Sequence, residues 1–394
     1  MQLPAQLGLL MLVATVVAML CARARIPYTV GLVSAGLLLG WLPLGLTLQL
    51  SRDLVFSLLL PPLVFEAALR LEWPALRRDL AVVVLLASAG VVLAAALTAA
   101  GMHYLAGWPA AGALLFGVLI AATDPVSVIA TFREARVGGR LALLVESESL
   151  LNDGAAAVLF TAGLGVAQGA PGVLAQLPLV LLLGVAGGIA CGWLVGSGAV
   201  LLAGRSGDAL VAITLATLAA YGSFHLAEHL RGSGVLAAMV AGLVVGNSRR
   251  RLPMAVGGRE ALESFWDYAA FVANSLIFLL IGRSLALQPL AGLWWPSLLA
   301  IVLVTAGRGV AVYPLCALFA RGRLAVARPH QHVLFWGGLR GALALALALG
   351  LPAELALRDT IVAVTYAVVA FSIFAQGLTM GPLLRRLGQV AAPR

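Results

Sequence analysis

Ionisable and polar side chains interrupt apolar stretches of this 394-residue chain in a few short clusters. The densest reads Glu146-Ser147-Glu148-Ser149-Leu150-Leu151-Asn152-Asp153-Gly154. On a helix, Ser149 and Asp153 are four residues apart and share a face, as do Glu148 and Asn152. Hydroxyl, amide and carboxylate oxygens are the ligands that a hard cation prefers. The run AAAVLF follows at once, so a loop and helix cap account for Glu146 but not for Asn152 and Asp153. A second cluster, Thr123-Asp124-Pro125, lies in the middle of another apolar stretch. Asp and Pro together predict an interrupted helix, a geometry tolerated at membrane depth only where the backbone is buried in protein or lines a wet cavity. A third, Gly337-Gly338-Leu339-Arg340-Gly341, sets three glycines around one arginine and predicts a second break. Half-helix N-termini carry partial positive charge and C-termini partial negative charge. Asp124 is suited to offset the positive ends of such breaks and Arg340 the negative ends. In LLLPPLVFEAAL, Pro61 and Pro62 precede Glu66 by one turn and remove helix hydrogen bonds beside a carboxylate. Arg308, in TAGRGVAVYP, needs a carboxylate partner, for which Glu66 and Glu148 are the candidates. Each of these charges is costly inside a membrane unless paired, hydrated or neutralised, so each is a functional candidate.

The elements that position them follow from composition. Hydrophobic residues make up 62% of the chain and charged residues 10%, with a mean hydropathy of +1.05. So little charge cannot cover a water-facing surface, which excludes a soluble multidomain protein. The chain is predicted to be an all-α polytopic membrane protein with about thirteen helices. They fall near 5–22, 27–41, 51–70, 79–100, 110–132, 141–164, 173–203, 208–229, 233–246, 261–286, 295–320, 331–350 and 360–384. The net charge of +9 has no aromatic-interleaved basic stripe to suggest nucleic acid, and topology explains it. With the N-terminus outside and the C-terminus cytoplasmic, 19 of 25 arginines lie in inner loops and three in outer ones. Interruptions in the fifth and twelfth helices, seven apart in order, are what an inverted-repeat transporter shows. His225, Glu228 and His229 fit the H-x-x-E-H zinc-protease pattern, but they close a helix beside Arg231, where a polar cap is expected. The three cysteines give no disulfide framework or zinc spacing. No GxxxxGK[ST] is present, so ATP is not the energy source.

Taken in order, these stretches resemble the NhaP-type sodium/proton antiporters of the monovalent cation:proton antiporter-1 family. The likeness includes SGVLAAMVAGLVVGN at 233–247 and FVANSLIFLLIG at 271–282, and it runs from about residue 5 to 386. It implies an inverted-repeat fold with two crossed, unwound helices, and a division into dimerisation helices (about 1–78 and 208–288), an ion-carrying core (about 79–170 and 295–386) and a linker helix (about 173–203). It implies that Asp153 carries the ion and the proton, with Asp124, Thr123, Ser149 and Asn152 as the Na+ site. Glu66, Glu148, Arg308 and Arg340 become the supporting charge network, and Pro125, Gly337, Gly338 and Gly341 the helix breaks. The expected protein is no enzyme and has no cofactor. It is a homodimeric antiporter of the plasma membrane, exchanging Na+ (or Li+) for protons without net charge movement and serving pH homeostasis. A K+/H+ antiporter of the same fold is the nearest rival; a cation channel or an intramembrane zinc protease lies further off. Arg283, after IFLLIG, departs from the pattern, which has a neutral residue there.

Overall fold

A computed structural model describes residues 3–389 except 25, 44, 125, 136, 170–172, 249–257 and 290, with backbone only at 126, 127, 130, 133, 134 and 173–175. Among the described residues the regular structure is entirely helical. Among the described residues, eight helices are long and apolar enough to cross a membrane. They are Leu3–Ala24, Trp73–Ala106, Arg140–Ala167, Gln176–Ser206, Ala209–His229, Gly258–Ala286, Trp294–Ala317 and Arg358–Arg386. Tyr28–Trp41, Ala110–Leu119 and Gly234–Asn247 are shorter apolar helices.

The chain divides into two compact units. One comprises Phe56–Leu80 and Asp153–Asn274. Its centre is the short helix Gly234–Asn247, which survives at 14 residues because small residues let its neighbours approach backbone to backbone. Gly188, Gly192 and Gly196 recur every fourth residue on the Val173–Ser206 helix and face it; a Cβ on Gly188 would stand 2.7 Å from the Ser233 carbonyl oxygen. Phe65 and Trp266 stack with ring centroids 4.4 Å apart in the same core. Asn247 pins the turn that follows Leu60–Arg70, its Nδ2 donating to the Leu71 carbonyl at 2.9 Å and its Oδ1 accepting from the Trp73 amide at 2.8 Å.

The other unit comprises Met1–Val55, Ala81–Asn152 and Ser275–Arg394. It contains an extended stretch around residues 45–50 whose backbone groups have no helix to satisfy them. Gln6, buried on the first helix, accepts from the Thr47 and Leu48 amides at 2.9 Å each. Arg283 donates to the Leu46 and Leu48 carbonyls. Irregular backbone in an apolar protein persists where side chains complete its hydrogen bonds. The charged residue that stands out after IFLLIG therefore holds a piece of main chain.

Three π-helical turns, Leu54–Leu59, Leu86–Gly90 and Ser372–Gly377, interrupt otherwise α-helical runs. Pro61 and Pro62 follow directly on the first of these, at the start of Leu60–Arg70. There their missing N–H groups fall where the α-helical pattern has just been broken.

Candidate ion-binding site

Both expected helix breaks are present. The helix Ala110–Leu119 ends and Val126–Ala135 begins after a non-helical stretch through Ala122, Thr123 and Asp124; Pro125 lies outside the described residues. The helix Arg328–Trp336 ends at Gly337, and Ala342–Leu349 starts after Gly338, Leu339, Arg340 and Gly341. The two breaks bond to each other. The Asp124 amide donates to the Leu339 carbonyl at 2.7 Å, and Arg340 Nη1 donates to the Ala122 carbonyl at 3.1 Å. Each unwound backbone thus supplies the partner that the other lost, and Arg340 sits on the negative, carbonyl end of the first half-helix.

Asp124 lies at the opposite pole. Its carboxylate is packed against Gly341, directly before the N-terminus of Ala342–Leu349, where backbone N–H groups favour a negative charge. A Cβ at Gly341 would fall on this carboxylate. The carboxylate occupies the position that a Cβ would take, so space dictates glycine here. Gly341→Ala is therefore expected to destabilise the protein by about 1–3 kcal/mol through overpacking. Lower melting in detergent together with lost exchange would be measured, and unchanged melting would refute the packing account.

Against the first break lies the Arg140–Ala167 helix. Ser149 Oγ is 3.0 Å from Thr123 Oγ1, and Asn152 Nδ2 donates to Thr123 Oγ1 at 3.2 Å and to Glu148 Oε1 at 3.3 Å. Thr123, Glu148, Ser149 and Asn152 are each 1% exposed. A carboxylate accepts and cannot donate, so Glu148 fixes the Asn152 amide with its NH2 inward and its oxygen elsewhere. That oxygen, Asn152 Oδ1, is buried with no hydrogen-bond partner among the described residues. Asp153 comes next on the helix and is 9% exposed.

Arg308 takes Glu148 as its carboxylate. The pair is bidentate, Nη1 to Oε1 at 2.7 Å and Nη2 to Oε2 at 2.8 Å. Arg308 also donates through Nε and Nη2 to the Leu334 carbonyl, at 3.1 and 2.9 Å, near the end of the half-helix Arg328–Trp336. One chain of contacts therefore runs from Thr123 through Asn152, Glu148 and Arg308 to the second broken helix. Glu66, the other candidate, pairs with Arg70 four residues along its own helix, and Arg70 also reaches Asp267. Sequence reasoning had no means to choose between the two carboxylates. It also missed the backbone partners of both arginines, because carbonyls carry no residue-type signal.

Of the zinc-like residues, Glu228 does different work. Glu228 Oε1 accepts from the Gly234 amide at 2.9 Å, closing the turn between Ala209–His229 and Gly234–Asn247. Among the described residues no group of three His, Cys, Asp or Glu side chains is placed to hold a metal ion.

Comparison with known proteins gives the family and the fold. The chain is 38% identical over 368 residues to the Na(+)/H(+) antiporter ApNhaP of Aphanothece halophytica, covering 93% of this chain and 70% of that protein. It is 32% identical to the Na(+)/H(+) antiporter NhaH of Halobacillus dabanensis, over 98% of both chains. Its fold matches that of the sodium proton antiporter MjNhaP1 from Methanocaldococcus jannaschii, solved at pH 8, with a TM-score of 0.77 over 97% of each chain at 20% identity. A family model described as "Sodium/hydrogen exchanger, transmembrane" matches residues 9–386, a span that takes in both broken helices and the whole oxygen cluster. With its crossed helix breaks and apolar spans, this chain is a multi-pass membrane transporter belonging to the sodium/hydrogen exchanger family.

Proposed function

We propose that this protein is a secondary active antiporter that exchanges Na+, and Li+, for protons, electroneutrally, with Asp153 as the group that both ions compete for. The observation that carries the reading is the cluster of buried neutral oxygens at a helix break, on Thr123, Ser149 and Asn152, beside an acidic residue. Hard cations are bound by such oxygens. The bare Asn152 Oδ1 is the kind of acceptor that a dehydrated cation completes. A cation bound at Asp153 and a proton bonded to it exclude each other, and exchange follows if only the loaded carrier changes its access. Glu148 adds no free charge, because Arg308 neutralises it, so one carboxylate carries one monovalent ion or one proton. Transported ions are substrates here, not cofactors.

In this reading the ion-carrying core spans about 79–170 and 295–386, which contains both broken helices, and the dimerisation helices span about 1–78 and 208–288, joined by the linker helix at 173–203. In the same reading the protein is a homodimer of the plasma membrane, and the arginine distribution supports an N-terminus outside and a C-terminus in the cytoplasm. The deciding experiment is a cation panel in proteoliposomes with an internal pH dye. Na+ and Li+ are expected to collapse an imposed pH gradient, K+ and Rb+ are not, and clamping the voltage should leave the rate unchanged. Response to K+ alone would overturn sodium as the cation. Currents that follow voltage without proton coupling would overturn antiport.

A further inference from the structure

Behind the crossed breaks, beside the Arg308–Glu148 pair, lies a small cavity of mixed polar and apolar lining. Its polar wall is formed by Thr305, Arg308, Arg340, Ser372 and Gln376, together with apolar side chains and Gly338. Arg340 is 2% exposed, and its Nη1 is committed to the Ala122 carbonyl. Its Nε is buried and has no acceptor among the described residues. A buried guanidinium N–H without a partner is costly, and such groups in folded proteins are commonly satisfied by an ordered water. Acceptors stand around the same cavity. Ser372 and Gln376, 2% and 5% exposed, are four residues apart on the π-helical turn Ser372–Gly377. Thr305 spends its hydroxyl proton on the Ile301 carbonyl at 2.7 Å and so keeps a lone pair. The cavity measures about 10 Å³, the size of one water and too small for a polyatomic anion. Arg308 faces it already neutralised by Glu148.

We propose that this cavity is the site of a single buried water that accepts from Arg340 Nε and donates its two protons to the Ser372 and Gln376 side-chain oxygens, with Thr305 completing the polar wall, which makes Ser372 and Gln376 positioning residues for the ion site. The π turn explains why they are available: a widened turn rotates the following residues, and such turns recur at functional sites in α-helices. Through the water they hold the Arg340 guanidinium on the Ala122 carbonyl, one residue before Thr123. Loss of the pair frees the guanidinium to shift, and Thr123 with it. The water itself rests on geometry alone; the effect on transport rests on the antiport reading.

The test has two arms on the full-length protein. In a nanodisc map resolving ordered water, a density within hydrogen-bond distance of Arg340 Nε and of Ser372 or Gln376 is expected. An empty cavity, or Nε bonded directly to either side chain, overturns the site. In proteoliposomes, Gln376→Met and Ser372→Ala are expected to raise the Na+ concentration for half-maximal exchange by about tenfold, with the maximal rate nearly unchanged. Ser372→Thr, which keeps the hydroxyl, should restore wild-type behaviour. An unchanged half-maximal concentration in both variants overturns the positioning role. If the wild type itself exchanges no cation for protons, the antiport reading fails, while the map still decides the water.

Discussion

Asp153→Asn is expected to fold, assemble and reconstitute like the wild type and to move no protons when Na+ is added. Asparagine has nearly the same shape, so the Arg140–Ala167 helix loses no packing. It can neither take up a proton nor offer a negative charge. A cation stripped of water and placed among neutral oxygens in a low-dielectric interior is strongly disfavoured without a counter-charge. Exchange is therefore expected to fall below detection, by about a thousandfold or more, an effect that separates a carrier from a scaffold residue. Asp124 supplies the contrast. Its carboxylate packs at Gly341 against a half-helix N-terminus, where its charge is favoured, so Asp124→Asn should lower melting as well as transport. The paired measurement is Na+-dependent proton movement and thermal unfolding in detergent on all three proteins. Retained exchange in Asp153→Asn would remove it from the carrier role. Equal melting losses in both variants would make Asp153 a structural residue.

Some of this site is readable from residue types because the membrane punishes certain residues. Thr123-Asp124-Pro125 and the three glycines around Arg340 cannot continue an apolar helix without a reason, and Thr123, Asp124 and the stretch Gly338–Gly341 are unwound in the structure. What the residues do not encode is who meets whom. Glu66 and Glu148 are equally plausible partners for Arg308 until the packing puts one of them within 2.7 Å. Arg283 is unexplained in sequence because its acceptors are carbonyls of an extended stretch more than 230 residues away.

Helix boundaries fail for a different reason. Hydropathy reports depth in the bilayer, whereas a helix continues wherever its backbone bonds do. The apolar run near 79–100 therefore lies inside a longer helical stretch, Trp73–Ala106, whose first turns carry Arg77, Arg78 and Asp79. The π turns are equally silent: LVFSLL, LASAG and SIFAQG have ordinary helical composition, and only packing widens them. In SIFAQG, the polar pair four apart in an apolar run was the one readable sign.

Removing one member of the Arg308–Glu148 pair should cost far more than removing both. Glu148→Leu leaves a guanidinium 6% exposed with no carboxylate, and Arg308→Leu leaves a carboxylate 1% exposed with no cation. Each is expected to destabilise by about 3–5 kcal/mol, because an uncompensated charge remains in the interior. Replacing both with leucine removes both charges at once, and such double replacements are often close to neutral in stability. The double variant should therefore melt well above either single one, a coupling that a double-mutant cycle reads directly. Transport should not return with it. Glu148 also holds the Asn152 amide, and without that acceptor the amide is free to turn and present its NH2 group where a cation needs an oxygen. Recovered melting with absent exchange would assign Glu148 two separable tasks, pairing Arg308 and aiming Asn152. Recovered exchange would show that the Asn152 orientation is set by Thr123 alone. Strictly additive losses in the cycle would mean that the two side chains do not act as a pair.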